Sequence, residues 1–104
     1  MKIPSSIIIA GHTIDIEQVE YLLDTEGDPV LGLALLLQDK IKLANTCAMV
    51  DISQSNKEMT LLHEIFHHTS DKLEIKLTEK QVSVLSSGLY AVLKDNNLNC
   101  GREL

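Results

Sequence analysis

The first half of the chain contains short apolar and β-branched runs that are separated by turn residues. Residues 6–18 hold two short β-branched runs on either side of Ala10-Gly11-His12. This pattern predicts a β-hairpin with glycine in the tight turn. Gly27-Asp28-Pro29 then predicts a turn or loop before the next apolar run.

A second pair of runs lies in residues 31–45, where Gln38-Asp39-Lys40 predicts the turn between them. The later run, Lys40 to Asn45, alternates between apolar and polar residues, which is typical of a half-exposed strand. The earlier run, Leu31 to Leu37, is apolar throughout. It predicts either a buried strand or a short buried helix, because periodicity does not separate the two.

The second half of the chain changes to a helical period. Ser55 to Glu58 has the spacing of a capping box, in which the hydroxyl and the carboxylate each satisfy an amide at the start of a helix. The predicted first helix covers about residues 56–70. Thr78 to Gln81 repeats this signature for a second helix that extends to about Asp95, where Asn96-Asn97 offers a left-handed stop.

Strands that precede helices predict an α+β fold. We expect a small antiparallel or mixed sheet from the N-terminal half, packed on two C-terminal helices. No repeat, low-complexity segment or linker divides residues 1–104, so a single domain is predicted. Apolar residues make up 44% of the chain, and aromatic residues only 3%, so the core is expected to be built from Leu, Ile and Val.

The net charge, the apolar runs and the cysteines indicate which partners and which cellular location the protein is expected to have. The net charge is −6, with no cluster of Lys and Arg, which argues against nucleic-acid binding. No apolar run approaches the length of about 20 residues that a membrane span needs. Cys47 and Cys100 lack the spacing of a zinc knuckle or a disulfide framework. Two reduced cysteines are typical of a cytoplasmic protein, and this is the predicted location.

The first predicted helix carries the motif HExxH in His63-Glu64-Ile65-Phe66-His67. Residues four apart on a helix lie about one turn apart and about 40° around the axis, so both imidazoles project side by side. They can therefore bind one Zn²⁺. Glu64, one step around the helix from His63, is placed to act as general base on a water molecule without being a ligand.

The surroundings of the motif also favour a rigid site. On a helical wheel with about 100° per residue, His63, His67 and Glu64 border an apolar arc that can seat the helix on the sheet. Four residues form this arc: Leu61, Leu62, Ile65 and Phe66. His68 points away from the other two histidines and is not expected to join them.

A zinc site of this type needs a third protein ligand. The chain has Ser70 and Leu73 where a metzincin would have Gly and His, which excludes that class. Asp71, Glu74 and Glu79 remain as candidates. Asp71 requires the helix to continue, and Glu74 lies in what looks like an extended connection.

Glu79 is the preferred third ligand because it opens the second helix at the border of an apolar arc. That arc is formed by Val82, Leu85, Leu89, Val92 and Leu93. If both helices share one core, Glu79 faces the two histidines. Tyr90 and Ser83 lie on the same edge of the wheel, so Tyr90 is a candidate donor to the transition state and Ser83 a candidate lining residue.

The chain resembles the ImmA/IrrE-type metallopeptidases, in particular their minimal phage-associated members. The resemblance rests on TLLHEIFHH and LTEKQVSVLSSGLYAVLKDN, and it covers about residues 55–97. It implies a gluzincin-like site with His63, His67 and Glu79 as zinc ligands and Glu64 as catalytic base. It also implies a peptidase that cleaves regulatory proteins.

The predicted function is therefore a zinc metallopeptidase with a protein or peptide substrate. An edge strand such as Lys40–Ala44 could align that substrate by adding it to the sheet. Two other interpretations stay open: a catalytically silent metal-binding interaction module, and a plain α+β domain without metal. Glu64 favours the enzyme, because a purely structural zinc has no need of a base beside it.

Overall fold

The computed structural model describes residues 2–98 and has the predicted α+β architecture. It contains a four-stranded mixed sheet, a small two-stranded sheet and two helices. The elements are β1 (Ser6–Ile9), β2 (His12–Val19), β3 (Gly32–Leu35), a 3-10 turn (Leu36–Gln38), β4 (Lys40–Ala44), β5 (Thr46–Cys47), β6 (Val50–Asp51), α1 (Gln54–Lys72) and α2 (Glu79–Asp95).

The first hairpin forms where the sequence predicts it. β1 and β2 pair antiparallel, with Ile9 opposite His12 and only two residues between the strands. Both of those residues, Ala10 and Gly11, have positive φ angles, of 49° and 83°. Two consecutive positive φ angles match the right-handed twist of the flanking strands, which is why glycine is favoured in such a turn.

The order of the strands in the main sheet is β1-β2-β4-β3. Residues 31–37 form the short strand β3 and then enter the 3-10 turn, and Asp39, with a φ of 51°, completes the predicted turn into β4. β4 pairs parallel with β2 on one side and antiparallel with β3 on the other. The prediction of an edge strand at Lys40–Ala44 is therefore wrong, and β3 takes the edge.

The core lies between one face of the sheet and α1. Alternate residues of β2 and β4 point to this face and are buried, as the period of two requires. The core cluster consists of Ile9, Ile14, Ile16, Ile41, Leu43 and Leu61. Aliphatic side chains build it, as the composition predicts. The helix α1 contacts β1, β3 and β4 and is thereby held firmly against the sheet.

The first helix begins earlier than its predicted capping box. Ser53, in extended conformation, is the N-cap, and its hydroxyl accepts the backbone N–H of Asn56 at 3.2 Å. The predicted cap by Ser55 and Glu58 does not form. Glu58 is instead buried inside α1, because this position belongs to the face that packs inward.

The second helix has the predicted bounds. Thr78 and Gln81 form a complete capping box, and the chain leaves the helix through Asn96 and then Asn97, whose φ is 54°. α2 packs on α1. Its buried line is Val82, Ser86 and Tyr90. Most of the predicted apolar arc is not buried: Leu85, Leu89 and Val92 are exposed.

The sequence predicted that the chain does not span a membrane and that its cysteines are reduced. Neither helix within residues 2–98 carries a stretch that is both long and apolar enough to cross a lipid bilayer. Cys47 is a half-buried free thiol. Cys100 lies outside the described residues.

Candidate metal centre

Three side chains from the two helices converge on one point. Nε2 of His63 lies 3.2 Å from Nε2 of His67. The two carboxylate oxygens of Glu79 lie 2.7 Å from Nε2 of His63 and 3.1 Å from Nε2 of His67. Among residues 2–98, His63, His67 and Glu79 form the cluster of histidine and acidic side chains that is close enough to hold one metal ion.

The spacing of these donor atoms fits a tetrahedral zinc ion. Zinc binds imidazole nitrogen and carboxylate oxygen at about 2.0–2.2 Å, which puts neighbouring donors about 3.3 Å apart in a tetrahedron. The two nitrogens lie 3.2 Å apart, and each lies 2.7–3.1 Å from a different oxygen of Glu79, so the side chains would move apart to bind a shared ion. Two nitrogens and one oxygen also form the donor set of catalytic zinc sites, which keep a fourth position for water.

Helix geometry sets the position of each of these three side chains. His63 and His67 are one turn apart on α1, and their rings meet edge to face with 4.9 Å between centroids. Glu79 is the first residue of α2, and the capping box at Thr78 holds that end of the helix in place. The two imidazoles thus come from a rigid helix seated on the sheet, while the carboxylate is supplied by the helix stacked on it.

Glu64 lies beside the ligands in a different environment. Its side chain is directed inward and only 7% of the residue is exposed. Burial, and then repulsion from the Glu79 carboxylate, raise the pKa of Glu64 to about 7. Its Oε2 is so close to β3 that a Cβ atom on Gly32 would lie 3.2 Å from it and 2.6 Å from Cγ2 of Thr60. Glycine at this position allows the edge strand to approach the HExxH helix.

Two open cavities meet at Gly32, His63 and Glu64. One, of about 350 Å³, holds the predicted ligands and is walled by β3; it is lined by Gly32, Leu33, Ala34, Leu36, His63, Glu64, His67 and Glu79. The other, of about 300 Å³, runs between α1 and α2; it is lined by Leu31, Gly32, Asn56, Met59, Thr60, His63, Glu64, Ser83, Ser86 and Ser87. Only the first cavity contains all three donor side chains, and Ser83 lines the second cavity, which adjoins the site at His63 and Glu64.

The other acidic candidates lie outside the group. Asp71 forms an ion pair with Lys72 at 3.8 Å, and Glu74 is exposed in the connection between the helices with a φ of 56°. His68 also lies apart: it is fully buried, and its Nε2 donates to the backbone carbonyl of Lys40 at 2.9 Å. It is a core histidine at the contact between helix and sheet.

Tyr90 is not brought to the group of His63, His67 and Glu79. It follows Glu79 by 11 residues, which places it about 16 Å further along α2. Its hydroxyl donates to Oε1 of Glu58 at 2.8 Å in the interface of the two helices. Burial and this contact raise the pKa of Tyr90 to about 12, so the phenol stays protonated as the donor.

The pair of Glu58 and Tyr90 is the polar feature that sequence reasoning missed. A signal for it does exist, because Glu58 falls inside the apolar arc of α1 when it is placed on the same helical wheel. A carboxylate at such a position needs a buried partner. Burial opposes its ionisation, but hydrogen bonds, including those from Tyr90 and Gln54, hold the pKa of Glu58 below its usual range.

Comparisons of this chain with protein-family models, with curated proteins and with solved structures give no match. The functional inference is therefore carried by the residues and by their geometry.

Proposed function

We propose that the protein is a zinc metallopeptidase with His63, His67 and Glu79 as the metal ligands. The convergence of their three donor atoms, beside a buried carboxylate that is not a ligand, is the observation that supports this most directly. The resemblance of both helices to ImmA/IrrE-type peptidases is consistent with it. The free thiol of Cys47 is consistent with a cytoplasmic location.

Each residue has a distinct task in this proposal. Bound zinc would supply a Lewis acid that polarises the scissile carbonyl and makes water more acidic. Glu64 accepts the proton of the attacking water at its carboxylate and then delivers it to the leaving amine. The carboxylate of Glu64 is largely buried and lies beside the wall of β3, next to the cavity that contains the three donors.

The edge strand β3 is suited to hold an extended peptide substrate. It lies at the end of the sheet order and walls the cavity that contains the ligands. A peptide that adds to this edge forms main-chain hydrogen bonds with β3 and runs past Glu64. β3 replaces β4 in this role, because both edges of β4 are already paired.

Metal analysis of purified variants tests the ligand set. We expect one zinc per wild-type chain, and a loss of zinc in His63→Ala and in Glu79→Ala. Asp71→Asn and Glu74→Gln serve as matched controls, since each removes a nearby acid that lies outside the group. Full zinc content in Glu79→Ala together with a loss in Asp71→Asn would show that the third ligand has been assigned wrongly.

Peptide cleavage tests the enzyme. Wild-type protein loaded with zinc is incubated with an unstructured protein mixture, and new termini are identified by mass spectrometry. Glu64→Gln should keep its zinc and lose cleavage by about two or more orders of magnitude, as expected for loss of a general base. Equal cleavage by wild type and Glu64→Gln would refute the role of Glu64.

A structural role for the metal is the second candidate. The two histidines belong to α1 and the carboxylate to α2, so one ion would join the two helices. As a silent interaction module, the protein would gain thermal stability from zinc, and neither wild type nor Glu64→Gln would cleave any peptide. Zinc should raise the melting temperature under both interpretations, so the presence or absence of new termini separates this one from the peptidase.

A further inference from the structure

The outer face of α2 is apolar and exposed. Residues 81–93 contain no charged side chain, yet α2 buries only Val82, Ser86 and Tyr90. We call the opposite side the outer α2 face; it comprises Val84, Leu85, Gly88, Leu89, Ala91 and Val92, all of them exposed. Val84 is 62% exposed and Val92 is 51% exposed. A contiguous exposed apolar patch of this kind is typical of a surface that contacts another protein.

The two faces lie on opposite sides of the helix axis. With about 100° per residue, the buried line and the centre of the outer α2 face are about 140° apart. Contact with α1 therefore leaves this face uncovered. Glu79 and the serines of the cavity between the helices, Ser83 and Ser86, lie toward the α1 side, so a partner on the outer α2 face leaves the metal centre open.

The charges that flank this face indicate what covers it. Lys80 precedes the uncharged segment and Asp95 follows it, and both fall on the same flank of the outer α2 face. In two antiparallel copies of α2, each Lys80 comes level with Asp95 of the second copy. The same register brings Leu85 of one copy level with Leu89 of the other, and Val84 level with Val92. The apolar contacts and the Lys80–Asp95 ion pairs therefore require the same alignment of the two helices.

We propose that the protein forms a two-fold symmetric dimer through the outer α2 face, with the two α2 helices antiparallel. An isologous interface of this kind uses each favourable contact twice. A shallow hollow of about 390 Å³ adjoins the face and is lined by Leu77, Thr78, Lys80, Gln81, Val84 and Leu85. In this register Val92 of the second copy lies level with the hollow and fills part of it.

Sedimentation velocity over a wide range of protein concentrations tests the dimer. We expect a species of twice the chain mass of 11.5 kDa that dissociates on dilution. Leu89→Glu should raise the dissociation constant by about a hundredfold or more, because it buries an unpaired carboxylate against Leu85 of the second copy. Met49→Glu makes a comparable change at a residue that is 98% exposed and lies between β5 and β6, outside α2, and it should leave the dimer intact.

Charge reversal tests the antiparallel register without changing the apolar contacts. Lys80→Glu and Asp95→Lys should each weaken the dimer by about tenfold at low salt, since each creates two like-charge contacts. The double variant should restore the wild-type dissociation constant. A protein that stays monomeric at every concentration would overturn the dimer, and a different protein would then have to cover the outer α2 face. Single reversals without effect, or a double variant without rescue, would overturn the register.

Discussion

Glu64 makes the stability of the metal-free protein depend on pH in an unusual direction. The carboxyl has a pKa of about 7 in the folded protein and an ordinary value of 4.5. Between these values the folded state holds a proton that the unfolded chain has released. The free energy of unfolding therefore falls as the pH rises from about 4.5 to about 7, because the folded state binds more protons in this window.

The magnitude follows from the two pKa values. The gap between about 7 and 4.5, at about 1.36 kcal/mol for each pKa unit, corresponds to about 3 kcal/mol. In Glu64→Gln the side chain at this position is neutral at every pH, so the variant does not lose this stability as the pH rises. It should match wild type at pH 4 and be more stable by about 3 kcal/mol at pH 8. For a domain of this size, that difference raises the melting temperature by at least about 10 °C.

Urea unfolding followed by circular dichroism, with a metal chelator present, measures this difference. The comparison of wild type with Glu64→Gln removes the contributions of all other titrating groups that the two proteins share. In a Glu79→Gln background the effect should shrink but persist, because burial remains after the neighbouring charge is gone. A difference between the two proteins that stays constant from pH 4 to pH 8 would refute the reasoning.

Three substitutions test other contacts of the site and its support. Gly32→Ala should destabilise the fold by about 1–3 kcal/mol in urea unfolding, because the new methyl group overlaps Cγ2 of Thr60, and Thr60→Ser should recover part of the loss. Tyr90→Phe should cost about 2 kcal/mol through the lost hydrogen bond to ionised Glu58, while zinc content and peptide cleavage persist; a loss of cleavage would restore the tyrosine as a catalytic donor. His68→Ala should cost about 3 kcal/mol by leaving a cavity, with zinc content unchanged in metal analysis, since this ring packs in the core.

Local rules explain the features that sequence analysis predicted well. Ala10-Gly11 forms the hairpin turn because neighbouring residues decide the backbone angles. Thr78 and Gln81 cap α2 because both members of the box lie within one turn. His63 and His67 face the same way because a helix places residues four apart side by side. Each of these depends only on residues that are close in the chain.

Contacts between distant segments decided the rest. Among three acids that follow the histidines, Glu79 joins them because α2 folds back onto α1. β4 lies inside the sheet because β2 pairs with it from a remote part of the chain. Glu58 is buried because Tyr90, 32 residues later, supplies its partner. The amino-acid sequence by itself determined the helices, the turns and the side-by-side placement of His63 and His67, since these obey local periodicity and capping. Only the tertiary structure decided the strand order, the approach of Glu79 rather than Asp71 or Glu74 to the histidines, and the exposed face of α2, because these depend on which surfaces pack together.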